Sequence, residues 1–201
     1  MSATIEFRNL TKTFGDTHAV TDLSFSVSPG RVTGFLGPNG AGKSTSLRCL
    51  TGLVKPTSGE ALIDGRQYHA LEVPIRRVGS ALESTGFHPG RSGQNNLLIL
   101  ALAAGLAKQD VDYAIAAVGM TPAAKQRVET YSLGMKQRLA IAAALLGDPQ
   151  ILLLDEPANG LDPEGIAWMR QFLRFRASEG ATVLISSHVL SEVQQTVDDV
   201  V

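Results

Sequence analysis

The sequence has one cysteine, one tryptophan and an aromatic content of only 5%. A lone cysteine, Cys49, excludes an internal disulfide and fits a reducing compartment. Charge of neither sign is in excess: 18 Lys and Arg stand against 19 Asp and Glu, for a net charge of −1. Nothing in the bulk electrostatics therefore points to a nucleic-acid partner. No apolar run reaches the about 18 residues that a spanning helix needs. The opening MSATIEFRNL lacks a cationic region followed by an apolar stretch, so it does not read as a signal peptide. Repeats, low-complexity stretches and long linkers are missing too. What remains is a chain of 201 residues, 44% hydrophobic and 18% charged, with the profile of a globular protein. Its length suits one domain, or one domain with a lobe, and permits a sizeable core.

A local absence says more. No Asp or Glu occurs from Tyr131 to Gly147, where YSLGMKQRL begins a helix. Ser132 is a good N-cap. Lys136 in the first turn, followed by Arg138, opposes the helix dipole by ~0.3–1 kcal/mol each.

The apolar pattern orders the rest. Ile5 and Phe7, and then Leu23, Phe25 and Val27, alternate with polar residues as half-buried strands do. Pro29-Gly30 turns the chain, and residues 31–36 form a strand that runs into GPNGAGKST. A helix should follow and end near Gly52. Ala61 and Ile63 lie on a strand closed by an Asp64-Gly65 turn. Between about Thr85 and Gly147 the pattern is helical. Val111, Ala114, Ile115 and Val118 fall on one helix face, as do Leu139, Ala142, Ala143 and Leu146. Leu97–Ala104 is apolar without interruption and reads either as a buried helix or, with Phe87-His88-Pro89, as a docking surface for a membrane partner. Strands at 150–154 and 181–186 flank a helix opened by Asp162-Pro163 and closed by Gly180. Leu190, Val193 and Val197 mark a further helix. The sequence stops at Asp198-Asp199-Val200-Val201 just where another strand would start, as a fragment would. Alternation of this kind implies a mainly parallel sheet with helices on both faces, an α/β fold. We expect a core at 1–85 and 147–201, and an inserted helical lobe at 86–146.

Gly37-Pro38-Asn39-Gly40-Ala41-Gly42-Lys43-Ser44-Thr45 contains G-x-x-x-x-G-K-[ST] between a strand and a helix. The glycines let backbone N–H groups wrap phosphates, Lys43 brings a charge for the β and γ phosphates, and Ser44 a hydroxyl for Mg²⁺. This is a P-loop. ILLLDEP ends a buried strand in two acids: Asp155 suits a metal held through water, and Glu156 an attacking water. His188 follows the strand ATVLISS, at the end of a sheet where α/β proteins bind ligands. It reads as a donor to a terminal phosphate, or as a structural residue near a helix start.

In this order, GPNGAGKST, YSLGMKQRL, ILLLDEPANGLDP and SSH resemble the ATP-binding cassette (ABC) ATPases, the motor subunits of ABC transporters, across nearly the whole chain. The resemblance implies a RecA-like P-loop NTPase core with a small antiparallel β part at the N-terminus. It implies Mg²⁺ and ATP as cofactors, and ATP hydrolysis with Glu156, His188 and Lys43 as catalytic residues. It places Ser132 and Gly134 opposite the γ-phosphate bound by a second cassette, so the acid-free helix start awaits an anion from another chain. Phe14 in TKTFG matches the aromatic that stacks on adenine, with an apolar loop anchor as the other reading. Asn159–Asp162 matches the loop that touches the partner cassette, and Asp162 can cap the next helix as well.

Two departures stand out. Tyr131-Ser132-Leu133-Gly134-Met135 replaces the usual Leu-Ser-Gly-Gly-Gln and resembles bacterial exporters of drugs and peptide antibiotics. Glu83 stands where the family has a glutamine; it can ligate Mg²⁺ but, when ionised, cannot donate a hydrogen bond. The partners implied are a second cassette, as a homodimer, and a polytopic permease that holds the subunit at the cytoplasmic face of the membrane. No nucleic acid is expected. The alternative is an ABC ATPase outside transport, a nucleotide-dependent switch. Translation-type members usually carry two cassettes, and repair-type members a long coiled coil, for which the lobe has no sustained heptads. A P-loop kinase of small molecules leaves Tyr131–Met135 unexplained.

Overall fold

The computed structural model of the chain describes residues 3–82, 86–189 and 194–201. Two sheets organise it. Strands β1 (Ile5–Phe14), β2 (Thr17–Val27) and β4 (Ser58–Ile63) form a three-stranded antiparallel sheet in the order β2-β1-β4. Strands β3 (Val32–Leu36), β5 (Val78–Ala81), β6 (Ile151–Asp155), β7 (Thr182–Ser187) and β8 (Asp199–Val200) form a parallel sheet in the order β5-β6-β7-β3-β8. The expected small antiparallel part and parallel sheet are both present.

The central strands β6 and β7 carry the apolar runs Ile151–Leu154 and Val183–Ile185 because both of their faces are covered. Ile151 and Leu153 point into the core shared with the antiparallel sheet and with helix α1 (Lys43–Leu50). Leu152 and Leu154 point into the opposite core. Each such side chain contributes ~1.5–3 kcal/mol by leaving water. The second core is built with α3 (Gly93–Ala103), α4 (Lys108–Ala117), α5 (Leu133–Ala144) and α6 (Pro163–Ser178), the short α2 (Pro74–Arg77) leading into β5. Helix α5 packs on β5, so closely that a Cβ at Gly79 would stand 1.9 Å from the Ala144 carbonyl oxygen.

Local chemistry sets the ends. Asp162 caps α6 by accepting the Gly165 N–H at 2.8 Å, and the Gly180 N–H bonds the Ala177 carbonyl at 2.8 Å behind it. The Asp64-Gly65 turn is a tight hairpin, with both residues at positive φ (53° and 72°). Ile63 and Arg66 exchange backbone hydrogen bonds of 2.8 and 2.9 Å across it. Val111, Ala114, Ile115 and Val118 are buried together. The strand expected at the end of the sequence is β8, parallel to β3.

The reading of Leu97–Ala104 as a helix buried on every face is corrected. Leu97 and Ala101, one turn apart, are buried in α3, whereas Ile99, Leu100 and Leu102 are exposed, Leu102 at 64%. Only one face of α3 meets α4 and α5, so continuous apolarity here leaves an uncovered surface. Leu190 and Val193 of the last expected helix lie outside the described residues; Val197 packs against the second core.

Candidate functional site

Strand order converges the motifs. In β6-β7-β3, the acid-bearing strand, the strand before His188 and the strand before the P-loop are neighbours, and all three end at the same edge. The Gly37 N–H bonds the Ser187 carbonyl at 3.3 Å, tying the loop to β7.

The loop turns through Gly40 (φ 85°) and Gly42 (φ 89°). Gly40 faces open space, but a Cβ on Gly42 would stand 2.2 Å from the Ala19 carbonyl oxygen and 2.8 Å from Val20 Cγ2. Gly42 is therefore required by the approach of β2 as well as by its φ. Helix α1 then starts with no side-chain cap and no acid in its first turn, so its leading N–H groups and dipole favour an anion. Lys43 is only 6% exposed, with Nζ donating to the carbonyls of Gly37 at 2.6 Å and Pro38 at 3.2 Å. Ser44 and Thr45 follow it in the first turn.

Glu156 occupies a left-handed conformation, φ 49°. That conformation costs of order 1–3 kcal/mol and is kept where surrounding contacts enforce it. Its N–H donates to Ser186 Oγ at 2.9 Å, and its carbonyl accepts the Asn159 N–H at 3.1 Å. The kink sets the carboxylate between two groups: Oε1 lies 3.7 Å from Lys43 Nζ, and Oε2 2.8 Å from His188 Nδ1. Because a carboxylate only accepts, Nδ1 is the donor and His188 Nε2 is left for another partner. Asp155 sits one residue earlier, hydrogen-bonded to Ser186 Oγ.

Ser132 caps α5 as expected, accepting the Met135 N–H at 3.2 Å. Arg138 is accounted for within the chain. It donates to the Val118 carbonyl at 3.3 Å, at the C-terminal end of α4, and lies 4.2 Å from the centroid of Trp168. The Lys136 side chain has no hydrogen bond or ion pair among the described residues. No hydrogen bond or ion pair among them joins Ser132 or Gly134 to Gly37–Thr45 either. The start of α5 instead meets the loop after Glu156: a Cβ on Gly160 would stand 2.1 Å from Leu133 Cδ2, and one on Gly134 3.5 Å from Leu161 Cδ2. Tyr131 is buried, its hydroxyl donating to the Ala123 carbonyl at 2.7 Å. Burial pushes its phenol pKa up. The room for that hydroxyl comes from Gly93, where a Cβ would stand 2.4 Å away.

Phe14 ends β1 and is not in a loop; at 50% exposure it anchors nothing by burial. Lys12 Nζ lies 4.6 Å from its ring centroid and donates to the Lys55 carbonyl at 3.0 Å. Phe14 pairs with Thr17 at the start of β2, whose Ala19 and Val20 press on Gly42, so the ring lies at the P-loop end of the hairpin. Glu83 lies outside the described residues.

The sequence assigns no role to Ser186 of SSH or to Gln137 of YSLGMKQRL. Gln137, buried on α5, borders a cavity of about 200 Å³ with Leu133, Asp155, Glu156 and Asn159. Both are recognisable only once strand register and the seat of α5 are known.

Among the described residues no cluster of His, Cys, Asp and Glu forms a metal cage. A small hard cation carried on phosphates needs no cage, only one or two protein oxygens, and Ser44 and Asp155 are of that type. The uncapped start of α1 and the buried Lys43 likewise suit a polyphosphate.

Comparison with known proteins agrees with this geometry. Residues 20–159 match the family described as ABC transporter. The chain is 46% identical over 203 residues to the bacitracin transport ATP-binding protein BcrA of Bacillus licheniformis, covering 100% of itself and 66% of that protein. It is 38% identical over 194 residues to the lantibiotic transport ATP-binding protein SrtF of Streptococcus pyogenes, covering 96% of itself and 84% of that protein. Its fold superposes on the structure of cbiO1 from Clostridium perfringens, part of the ABC transporter complex cbiONQ, with a TM-score of 0.83 at 29% identity, covering 98% of this chain and 82% of that one. The chain thus spans just under two thirds of the length of the bacitracin relative.

Proposed function

The chain belongs to the ABC transporter family of ATP-binding domains, and from that premise we propose that it is the ATP-hydrolysing motor of a transporter, an exporter of drug- or peptide-antibiotic-like molecules. The observation that carries the reading is Glu156, held 3.7 Å from the buried Lys43 and 2.8 Å from His188 at the mouth of the P-loop. Phosphoryl transfer to water is mainly positioning and charge stabilisation. Lys43 and the loop amides hold the phosphates. Glu156 orients a water and takes its proton as the water oxygen bonds the γ-phosphorus and the bond to the ADP oxygen breaks. His188 Nε2 is directed to the γ-phosphate, donating when the ring carries both protons. Mg²⁺, held by Ser44 and Asp155, neutralises phosphate charge when bound. Phe14 stacks on adenine, its ring backed by Lys12.

Ser132 and Gly134 serve the nucleotide of a second cassette. Three features support that: their lack of hydrogen bonds to this chain's own P-loop, the uncompensated Lys136, and the absence of any acid at the start of α5. ATP then drives pairing by favouring the closed dimer. The division into a core at 1–85 and 147–201 and a lobe at 86–146 belongs to the same reading. The apolar face of α3, with Ile99, Leu100 and Leu102, is the surface for an all-helical membrane subunit, which keeps the protein at the cytoplasmic face.

Ser132→Arg tests the reading in the full-length protein. It is expected to leave the affinity of the monomer for a fluorescent ATP analogue unchanged and to abolish ATP-dependent dimers in gel filtration. Loss of monomer affinity instead would place Ser132 in its own chain's pocket and overturn the assignment.

A further inference from the structure

Ser186 opens the SSH stretch, in which the resemblance gives a role only to His188, and it is fully buried where the site's two acids leave their strand. In the parallel pairing of β6 with β7 it stands directly opposite Asp155. Alternation along β7 turns it, with Leu184, toward the face that carries α1, the face that Ile151, Leu153 and Asp155 share on β6. Its hydroxyl is used in both directions: Oγ–H donates to Asp155 Oδ1, and Oγ accepts the Glu156 N–H at 2.9 Å. Two residues further along the chain, just past the end of β7, His188 Nδ1 holds the Glu156 carboxylate.

We infer that Ser186 is a positioning residue for ATP hydrolysis: one hydroxyl orients the Asp155 carboxylate toward its metal and fixes the left-handed Glu156 that aims the catalytic carboxylate. The inference rests on the ATPase reading above. Side-chain packing explains neither contact, because a serine places little apolar surface in the core. An alanine keeps the fold's volume nearly intact but leaves the Glu156 N–H without its acceptor and frees Asp155 to rotate. Glu156 then loses one of the contacts that enforce φ 49°. Asp155 keeps its charge, so the loss falls on orientation rather than on electrostatics. Threonine retains the hydroxyl, and its branched side chain suits a strand.

The test compares Ser186→Ala, Ser186→Thr and Ser186→Cys in the full-length protein, each verified as folded by circular dichroism. Ser186→Ala is expected to lower kcat by roughly 10- to 100-fold with little change in KM, the range set by a lost hydrogen bond to a charged group. A second readout is free of turnover. In a Glu156→Gln background, Ser186→Ala is expected to raise several-fold the Mg²⁺ concentration that half-saturates binding of a fluorescent ATP analogue. Ser186→Thr should restore both. If the alanine variant does not fold, Ser186→Cys, with its weak S–H donor, takes its place with losses in the same direction. Wild-type kcat and Mg²⁺ dependence in the alanine or cysteine variant, or a threonine variant no better than alanine, overturns the assignment. Glu156→Gln separates the two failures. If it turns over like wild type, the ATPase reading falls; if it is slow while Ser186→Ala is normal, only the role of Ser186 falls.

Discussion

Replacing Glu156 by glutamine is expected to cut ATP turnover by ~10²–10⁴, the usual worth of a positioned general base. This is ~3–5 kcal/mol of transition-state stabilisation. Glutamine is nearly isosteric, and the contacts that enforce the kink are made by backbone: the Glu156 N–H to Ser186 Oγ and the Glu156 carbonyl to the Asn159 N–H. Its amide oxygen can still accept from His188. What is lost is the ability to take a proton from water and the charge beside Lys43. Nucleotide binding should survive, so ATP-bound dimers should accumulate where the wild type hydrolyses and separates. Phosphate release and gel filtration with ATP and Mg²⁺ measure both effects. Wild-type turnover in this variant would remove Glu156 from the reaction.

Gly42→Ala is expected to weaken ATP binding on the order of 10²-fold or more and to lower the melting temperature. A left-handed conformation alone costs a non-glycine residue roughly 1–2 kcal/mol. Here the added Cβ also meets a backbone oxygen, Ala19 O at 2.2 Å, which no side-chain rotation can move aside. Either β2 retreats, disturbing the hairpin that carries Phe14, or the loop shifts and its N–H groups no longer converge. Losing two hydrogen bonds to a charged phosphate, at ~1.5–3 kcal/mol each, is enough for the predicted change in affinity. Gly40→Ala is the comparison: its φ of 85° is also strained, but its Cβ meets nothing within 4 Å, so its effect should be smaller. Titration with a fluorescent nucleotide and a thermal melt measure both variants. Equal effects would mean that φ rather than the contact with β2 decides.

Features that rest on local chemistry were legible in the sequence. Asp162 with Pro163, Ser132, and Gly180 each mark a helix end through their own hydrogen bonds. The runs ILLL and TVLIS read as buried strands because a parallel sheet hides both faces. The antiparallel hairpin was legible only in part. Only Ile5, Phe7 and Leu23–Val27 alternate cleanly, whereas β1 runs on to Phe14 through register shifts after Phe7, near Asn9 and Asp22, which take positive φ of 48° and 50°. A bulge breaks the period that pattern reading depends on. The apolar run in α3 misled because composition cannot tell a helix covered on all sides from one with a face left open. What Ser186 does was invisible for a different reason. Its role is set by lying opposite Asp155, and strand order is decided by packing between segments distant in the chain. Lys43, Asp155, Glu156 and His188 could be named from motifs, but their convergence depends on β7 lying between β6 and β3.

The central claim is that one chain holds two incomplete halves of an ATP site, the P-loop side and the Ser132 side, and that pairing joins halves from different chains. Mixing two inactive full-length variants, Lys43→Ala and Ser132→Arg, and measuring ATP hydrolysis tests it most directly. Each mixed dimer has one site built from the intact P-loop of one chain and the intact α5 start of the other, so activity should reappear on mixing. A mixture as inactive as its two components, under conditions where mixed dimers are shown to form, would contradict the account.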